Sequence, residues 1–211
     1  MVSSHGDDPS AGGVERLLAE LSVRLTAGGT HVAYLQAFPP GGQVADTERT
    51  VLHETDWRHD QARRILNHFD DLVSLPRHSL EDAIATHRPD VVHTHSLTGI
   101  TTAVWEVSRR RGLPVVHTLH DYYLFCPRAS LTRRDASPCH PSPLLCGLRT
   151  RRLIRWSKSV SQVIGVSQYV LDLHAPLFPT ARRLAQAAWL HRSPEGPEGS
   201  RRPHRRSSTA G

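Results

Sequence analysis

The stretch between residues 88 and 119 restricts this chain's fold more than any other. Arg88-Pro89-Asp90 opens into the β-branched pair Val91-Val92 and continues as His93-Thr94-His95. Residues 99–111 are helix-compatible, Gly112-Leu113-Pro114 ends that helix, and a second apolar run, Val115–Leu119, begins at once. A strand, a helix and a strand joined by short turns form a right-handed crossover, which forces the two strands to lie parallel. A parallel sheet in turn needs helices on both faces, so this unit points to an α/β domain.

The alternation continues on either side. Val14, Leu17, Leu18, Leu21 and Leu25 recur at three- and four-residue steps and predict an amphipathic helix that Gly28 and Gly29 stop. Residues 31–38 read as a buried strand closed by Pro39-Pro40-Gly41-Gly42, with a short strand expected near residues 50–53. Residues 60–87 read as helix interrupted at Pro76. Beyond the central unit, a helix is expected at 149–160 and a strand at 162–166. The sum is a doubly wound parallel sheet over residues 10–178, with its first strand largely missing because residues 1–9 offer only a stub ahead of the first helix.

Charge separates this body from the end of the chain. Residues 181–211 hold seven Arg against two Glu, which is +5 of the formal +6, and are rich in Pro, Ser and Gly. Residues 179–211 are therefore expected to be a disordered basic tail. The rest is near neutral, and Trp189 is the single aromatic among the tail arginines, so no nucleic-acid partner is expected. No run approaches ~20 apolar residues and residues 1–13 lack an apolar leader segment, which predicts a cytoplasmic protein, with peripheral docking at the inner membrane face still open.

In an open parallel sheet ligands bind where the strands end at their carboxyl side. That rule selects Gly12 and Gly13 before the first helix, His95, His120 with Asp121, and Ser167. Two glycines at a helix start let a phosphate approach backbone N–H groups, although a plain turn reads the same way. His93 and His95 share a strand face and could reach His117 and His120, either as hydrogen-bonding groups of a pocket or as arms of a metal-dependent hydrolase that would need further ligands. At His120-Asp121-Tyr122 a polar pair meets a loop of aromatics, which suits either a turn cap or a substrate-binding edge. Cys126, Cys139 and Cys146, with His140 alongside, allow free thiols, a zinc site or a disulfide; the spacing is not that of a zinc knuckle, and no metal is assigned.

Taken together, Gly12-Gly13-Val14-Glu15-Arg16, the run from Arg88 to His95, the run from Pro114 to Tyr122, Cys126-Pro127-Arg128 and Val163-Ile164-Gly165-Val166-Ser167 resemble the N-terminal, acceptor-side domain of GT-B glycosyltransferases of family 4. The resemblance implies a Rossmann-like half of a GT-B fold and a retaining transfer of a hexose-type sugar from a nucleotide-sugar donor to an acceptor hydroxyl. No cofactor or metal would be required. It implies that Gly12 and Gly13 lie near the donor diphosphate and that His120 contacts the transferred sugar at the reaction centre. His95, Asp121, Tyr122 and Ser167 would line the substrate site, and the acceptor would be a sugar or a lipid-linked molecule. In the family a second domain supplies a basic pair and a Glu-x7-Glu motif for the donor. No two Glu here stand eight positions apart. The chain is thus expected to lack the donor domain and to turn over little or nothing alone. The remaining expectation is an acceptor-binding subunit that pairs with a separately encoded donor domain.

Overall fold

The computed structural model describes residues 1–7, 12–39, 47–52, 77–133, 135–139 and 144–185. Seven strands form one sheet: β1 (Val2–Ser3), β2 (Tyr34–Gln36), β3 (Arg49–Val51), β4 (Val92–Thr94), β5 (Val115–Leu119), β6 (Val160–Gly165) and β7 (Arg182–Ala185). Their order across the sheet is β3-β2-β1-β4-β5-β6-β7, and every pairing is parallel. The helices are α1 (Gly13–Ala27), α2 (Arg77–His87), α3 (Ala103–Arg110), α4 (Leu144–Leu153) and α5 (Gln168–His174). The expected doubly wound α/β architecture is the observed one.

The stub at the start of the chain takes the central place. Val2 pairs with Leu35 on one side and with Thr94 on the other. The ladder runs beyond the two strand residues, because Leu35 N–H donates to Met1 O at 2.8 Å, His95 N–H to Val2 O at 2.8 Å and Phe38 N–H to Ser4 O at 3.0 Å. A strand this short holds its position because both neighbours satisfy its backbone. The strand order reverses beside β1, so β1 and β4 flank the switch point where such sheets open a crevice.

Alternation along the strands divides the core into two layers. On one face Trp105 of α3 donates to Thr94 Oγ1 and packs edge-on against His117 and Phe178, within a cluster that includes Leu80, Ile84, Val107 and Leu171. On the other face Leu18 of α1 packs on Val32 and Tyr34, whose hydroxyl donates to Leu18 O at 3.1 Å. His117 therefore belongs to the first face, with Nδ1 2.9 Å from Thr94 Oγ1, and does not join His93 and His95.

Three boundaries differ from the sequence expectation. The helix expected from residue 99 begins at Ala103. Gly99 (φ +78°) turns sharply where a Cβ would come within 2.9 Å of Ala37 and Phe38, and Thr101 Oγ1 accepts from Ala103 N–H. The helix expected at 149–160 starts earlier, at Leu144, and passes at Ile154 into a 3-10 segment that ends at Ser159. The basic tail starts later than residue 179, since Arg182–Ala185 pairs with β6 as the edge strand. Residues 53, 60–76 and 186–211, to which part of a strand, a helix and the remaining tail were assigned, lie outside the described residues.

Candidate active site

The carboxyl ends of β1, β4 and β5 bring His5, His95 and His120 to one edge of the sheet, where Glu15 of α1 lies beside His5. His5 follows β1 and is buried, with Nδ1 3.7 Å from Glu15 Oε1 and its ring 5.2 Å from that of Phe38. Glu15 is buried in the first turn of α1. Its Oε2 lies 2.9 Å from the position a Cβ on Gly12 would take, so the carboxylate folds back over the residue that caps its own helix.

His95 stands one residue beyond β4 and His120 one residue beyond β5. Their rings face each other, His95 Nδ1 3.0 Å from His120 Nε2, with centroids 5.3 Å apart. His93 lies 4.1 Å from His95 ring to ring and engages Thr118 Oγ1 through Nε2 at 2.8 Å. Burial pushes His93 and His120 down to about 4; neighbouring charges assist at His93, and Glu15 opposes the shift at His120. Burial followed by the neighbouring imidazoles holds His95 well below the usual histidine range. All three are neutral at pH 7.

Between two neutral imidazoles one nitrogen must donate and the other accept. His95 Nε2 is buried with no hydrogen-bond partner among the described residues. A buried orphan N–H is rarer than an under-satisfied acceptor. The favoured arrangement therefore has His95 donating from Nδ1–H to His120 Nε2, which leaves His120 protonated on Nδ1. The half-buried His120 then keeps an Nδ1–H donor that is not used by His95.

The other expected site residues have local partners. Asp121 accepts from Tyr123 N–H at 2.8 Å, and burial raises its pKa. Tyr122 stacks parallel to His174 with centroids 6.1 Å apart. Ser167 caps α5 by accepting from Val170 N–H at 3.2 Å. Only His95 and His120 are thus in direct contact. Gly13 has nothing within 4 Å of where a Cβ would sit, so the fold does not require a glycine there, whereas a Cβ on the extended Gly12 would press on the Glu15 carboxylate. Among the described residues no group of three or more His, Cys, Asp or Glu side chains is placed to hold a metal ion. The three cysteines are free thiols, and His140 lies outside the described residues.

Beside the histidines a groove of about 310 Å³ runs between α1 and the sheet, lined by Leu17, Leu21, His93, His95 and Ile164. A larger cavity of about 530 Å³ sits at the opposite, amino ends of the strands, around Ala33, His87 and Asp90. The rule for doubly wound sheets favours the smaller one, because it opens beside the strand ends where polar groups converge.

Sequence reading missed His5 and left Glu15 without a role. Glu15 was detectable as the acidic residue three places after a helix cap, whereas His5 was concealed in a segment judged too short for a strand.

A parallel seven-stranded sheet of this strand order defines a Rossmann-like domain. Residues 11–185 match the family model described as Glycosyltransferase Family 4, and the chain belongs to that family. It is 32% identical over 112 residues to an uncharacterized 42.6 kDa protein in the cps region of Klebsiella pneumoniae, covering 53% of this chain and 30% of that protein. The chain therefore spans less than a third of that relative's length. Among solved structures it is similar to a UDP-N-acetylglucosamine 2-epimerase from Rickettsia bellii, with a TM-score of 0.45 and 11% identity over 87% of this chain and 42% of the other. No helix of the described residues is long and apolar enough to cross a membrane.

Proposed function

We propose that this domain is the acceptor-side half of a retaining glycosyltransferase that moves a hexose-type sugar from a nucleotide-sugar to an acceptor hydroxyl. The observation that carries the reading is the neutral His120, buttressed by His95 and set at the strand ends across from the glycine-started helix α1. Glycosyl transfer passes through an oxocarbenium-like state and needs a stabilised leaving group. A neutral His120 donates a hydrogen bond to a sugar oxygen without placing a positive charge beside the developing cation. The open backbone at Gly13 admits the diphosphate to the N–H groups of α1.

Glu15 works against tight donor binding by this domain alone, since its carboxylate occupies the same helix start. The reading accordingly assigns the positive groups for the diphosphate to a further domain, in the same chain or in a separate subunit. The apolar groove beside His93 and His95 suits the acceptor, as a sugar carried on a lipid or as a saccharide. No metal ion or cofactor takes part in the proposed reaction.

The test is sugar transfer by a form of the protein that includes a donor domain. His120→Ala is expected to lower kcat by about 10²-fold, the size of loss seen when a preorganised hydrogen-bond donor is removed, and chelators are expected to have no effect. Undiminished turnover in His120→Ala would overturn the reading.

A further inference from the structure

Helix α4 is packed with the wrong side out. Its buried positions are Arg149 and Leu153, whereas Leu144, Leu145 and Leu148 are 80%, 77% and 50% exposed. Arg149 is tied inward, donating to Tyr123 O at 2.7 Å with its guanidinium 4.5 Å from the Tyr123 ring centre. Thr150 donates to Leu124 O at 2.9 Å. These bonds fix the helix rotation, so the outward leucines are part of the fold and not an accident of one side chain.

The outward face has a pattern. Leu144, Leu148 and Arg151 follow one another at steps of four and three residues, which places them along one stripe of α4, and Arg155 and Lys158 follow on the 3-10 segment that continues it. Arg151, Arg155 and Lys158 are exposed. No Asp or Glu occurs between residues 136 and 171. Exposed leucines adjoining cations, with no carboxylate among them, match the interface of an anionic bilayer, where apolar side chains enter the acyl boundary and cations meet the head groups. A second copy of this chain is a poorer occupant, because pairing this face with itself sets cations against cations.

We propose that the outward face of α4 is a docking surface for an anionic lipid membrane, on which the domain lies without crossing it. This goes beyond the transferase reading and stands without it. If both hold, the membrane lies near the site, since Arg149 and Thr150 of α4 bond to the carbonyls of Tyr123 and Leu124, just beyond His120.

Vesicle flotation of the full chain tests the proposal, using phosphatidylcholine vesicles with and without phosphatidylglycerol. Binding is expected only to the anionic vesicles and is expected to weaken with added salt. Leu144→Ser/Leu145→Ser/Leu148→Ser should lower the partition coefficient at least ~10-fold while leaving the circular dichroism unchanged. Arg151→Gln/Arg155→Gln/Lys158→Gln should lower it by about fivefold per cation removed. The proposal is overturned by absent binding to anionic vesicles. It is equally overturned by unchanged binding in both triple variants, which would place attachment on the arginines of residues 192–206, or by a parent dimer that the leucine variant dissociates. No sugar enters the assay, so its outcome is independent of the transferase reading.

Discussion

Acid should loosen this fold at a pH where most carboxylates are still ionised. Burial holds His93 and His120 at about 4 and His117 at about 3, against 6.5 for a free histidine. Between those limits the unfolded chain binds protons that the folded chain refuses, so stability is complete above 6.5 and is lost as pH falls toward 4. Each such histidine costs about 1.4 kcal/mol per pH unit, or about 2 kcal/mol from 6.5 to about 5. Three together amount to at most about 6 kcal/mol, comparable with the whole stability of many small domains. His95, also lowered by burial, adds in the same direction. Asp121, raised by burial, gives an opposite contribution nearer the carboxylate range. Urea denaturation followed by circular dichroism across this range should show the midpoint falling steeply below pH 6.5. His93→Gln should remove about one histidine's share of the slope. A midpoint constant from neutral pH to about pH 5 would refute the argument that these imidazoles are held neutral.

Further substitutions separate structural from functional roles. Gly13→Ala should stabilise the domain by about 0.5–1 kcal/mol, because the site has room and Ala is the better helix residue, yet weaken donor binding in the complete enzyme; unfolding and binding measurements on the same variant test both halves. Gly99→Ala should destabilise by about 1–3 kcal/mol, since φ is +78° and the new Cβ meets Ala37 and Phe38, which thermal unfolding will read. Arg149→Met should cost about 1.5–3 kcal/mol by leaving Tyr123 O unpaired in the interior, measured in urea. Long-range ¹H–¹⁵N correlation should find His95 and His120 both protonated on Nδ1 at pH 7; protonation on Nε2 in either ring contradicts the proposed direction of their hydrogen bond.

The fold was largely legible because its signals are local. Val91-Val92 and Val115–Leu119 are apolar runs bounded by Pro and Gly, and α1 carries its leucines at helical spacing. The centrality of β1 was not legible, because two residues carry no periodicity and only long-range pairing with β2 and β4 makes them a strand. The edge strand Arg182–Ala185 was hidden for a related reason: its residues are all exposed and two are arginine, so no buried apolar run marks it. At the site, proximity of His95 and His120 followed from adjacent strand ends. The turning away of Tyr122 and Ser167 did not, since it depends on where His174 and the α5 N–H groups stand. The rotation of α4 was likewise invisible, because Arg149 outcompetes three leucines for the interior only once the Tyr123 carbonyl is in place.

The central claim is that a nucleotide-sugar sits between the start of α1 and His120. Amide and imidazole chemical-shift mapping of the purified chain, titrated with nucleotide-sugars, tests it most directly. The resonances expected to move belong to Gly12, Gly13, Val14 and Glu15 together with the His95 and His120 rings. Shifts confined to the cavity around Ala33, His87 and Asp90, or shifts unaltered by His120→Ala, would contradict it.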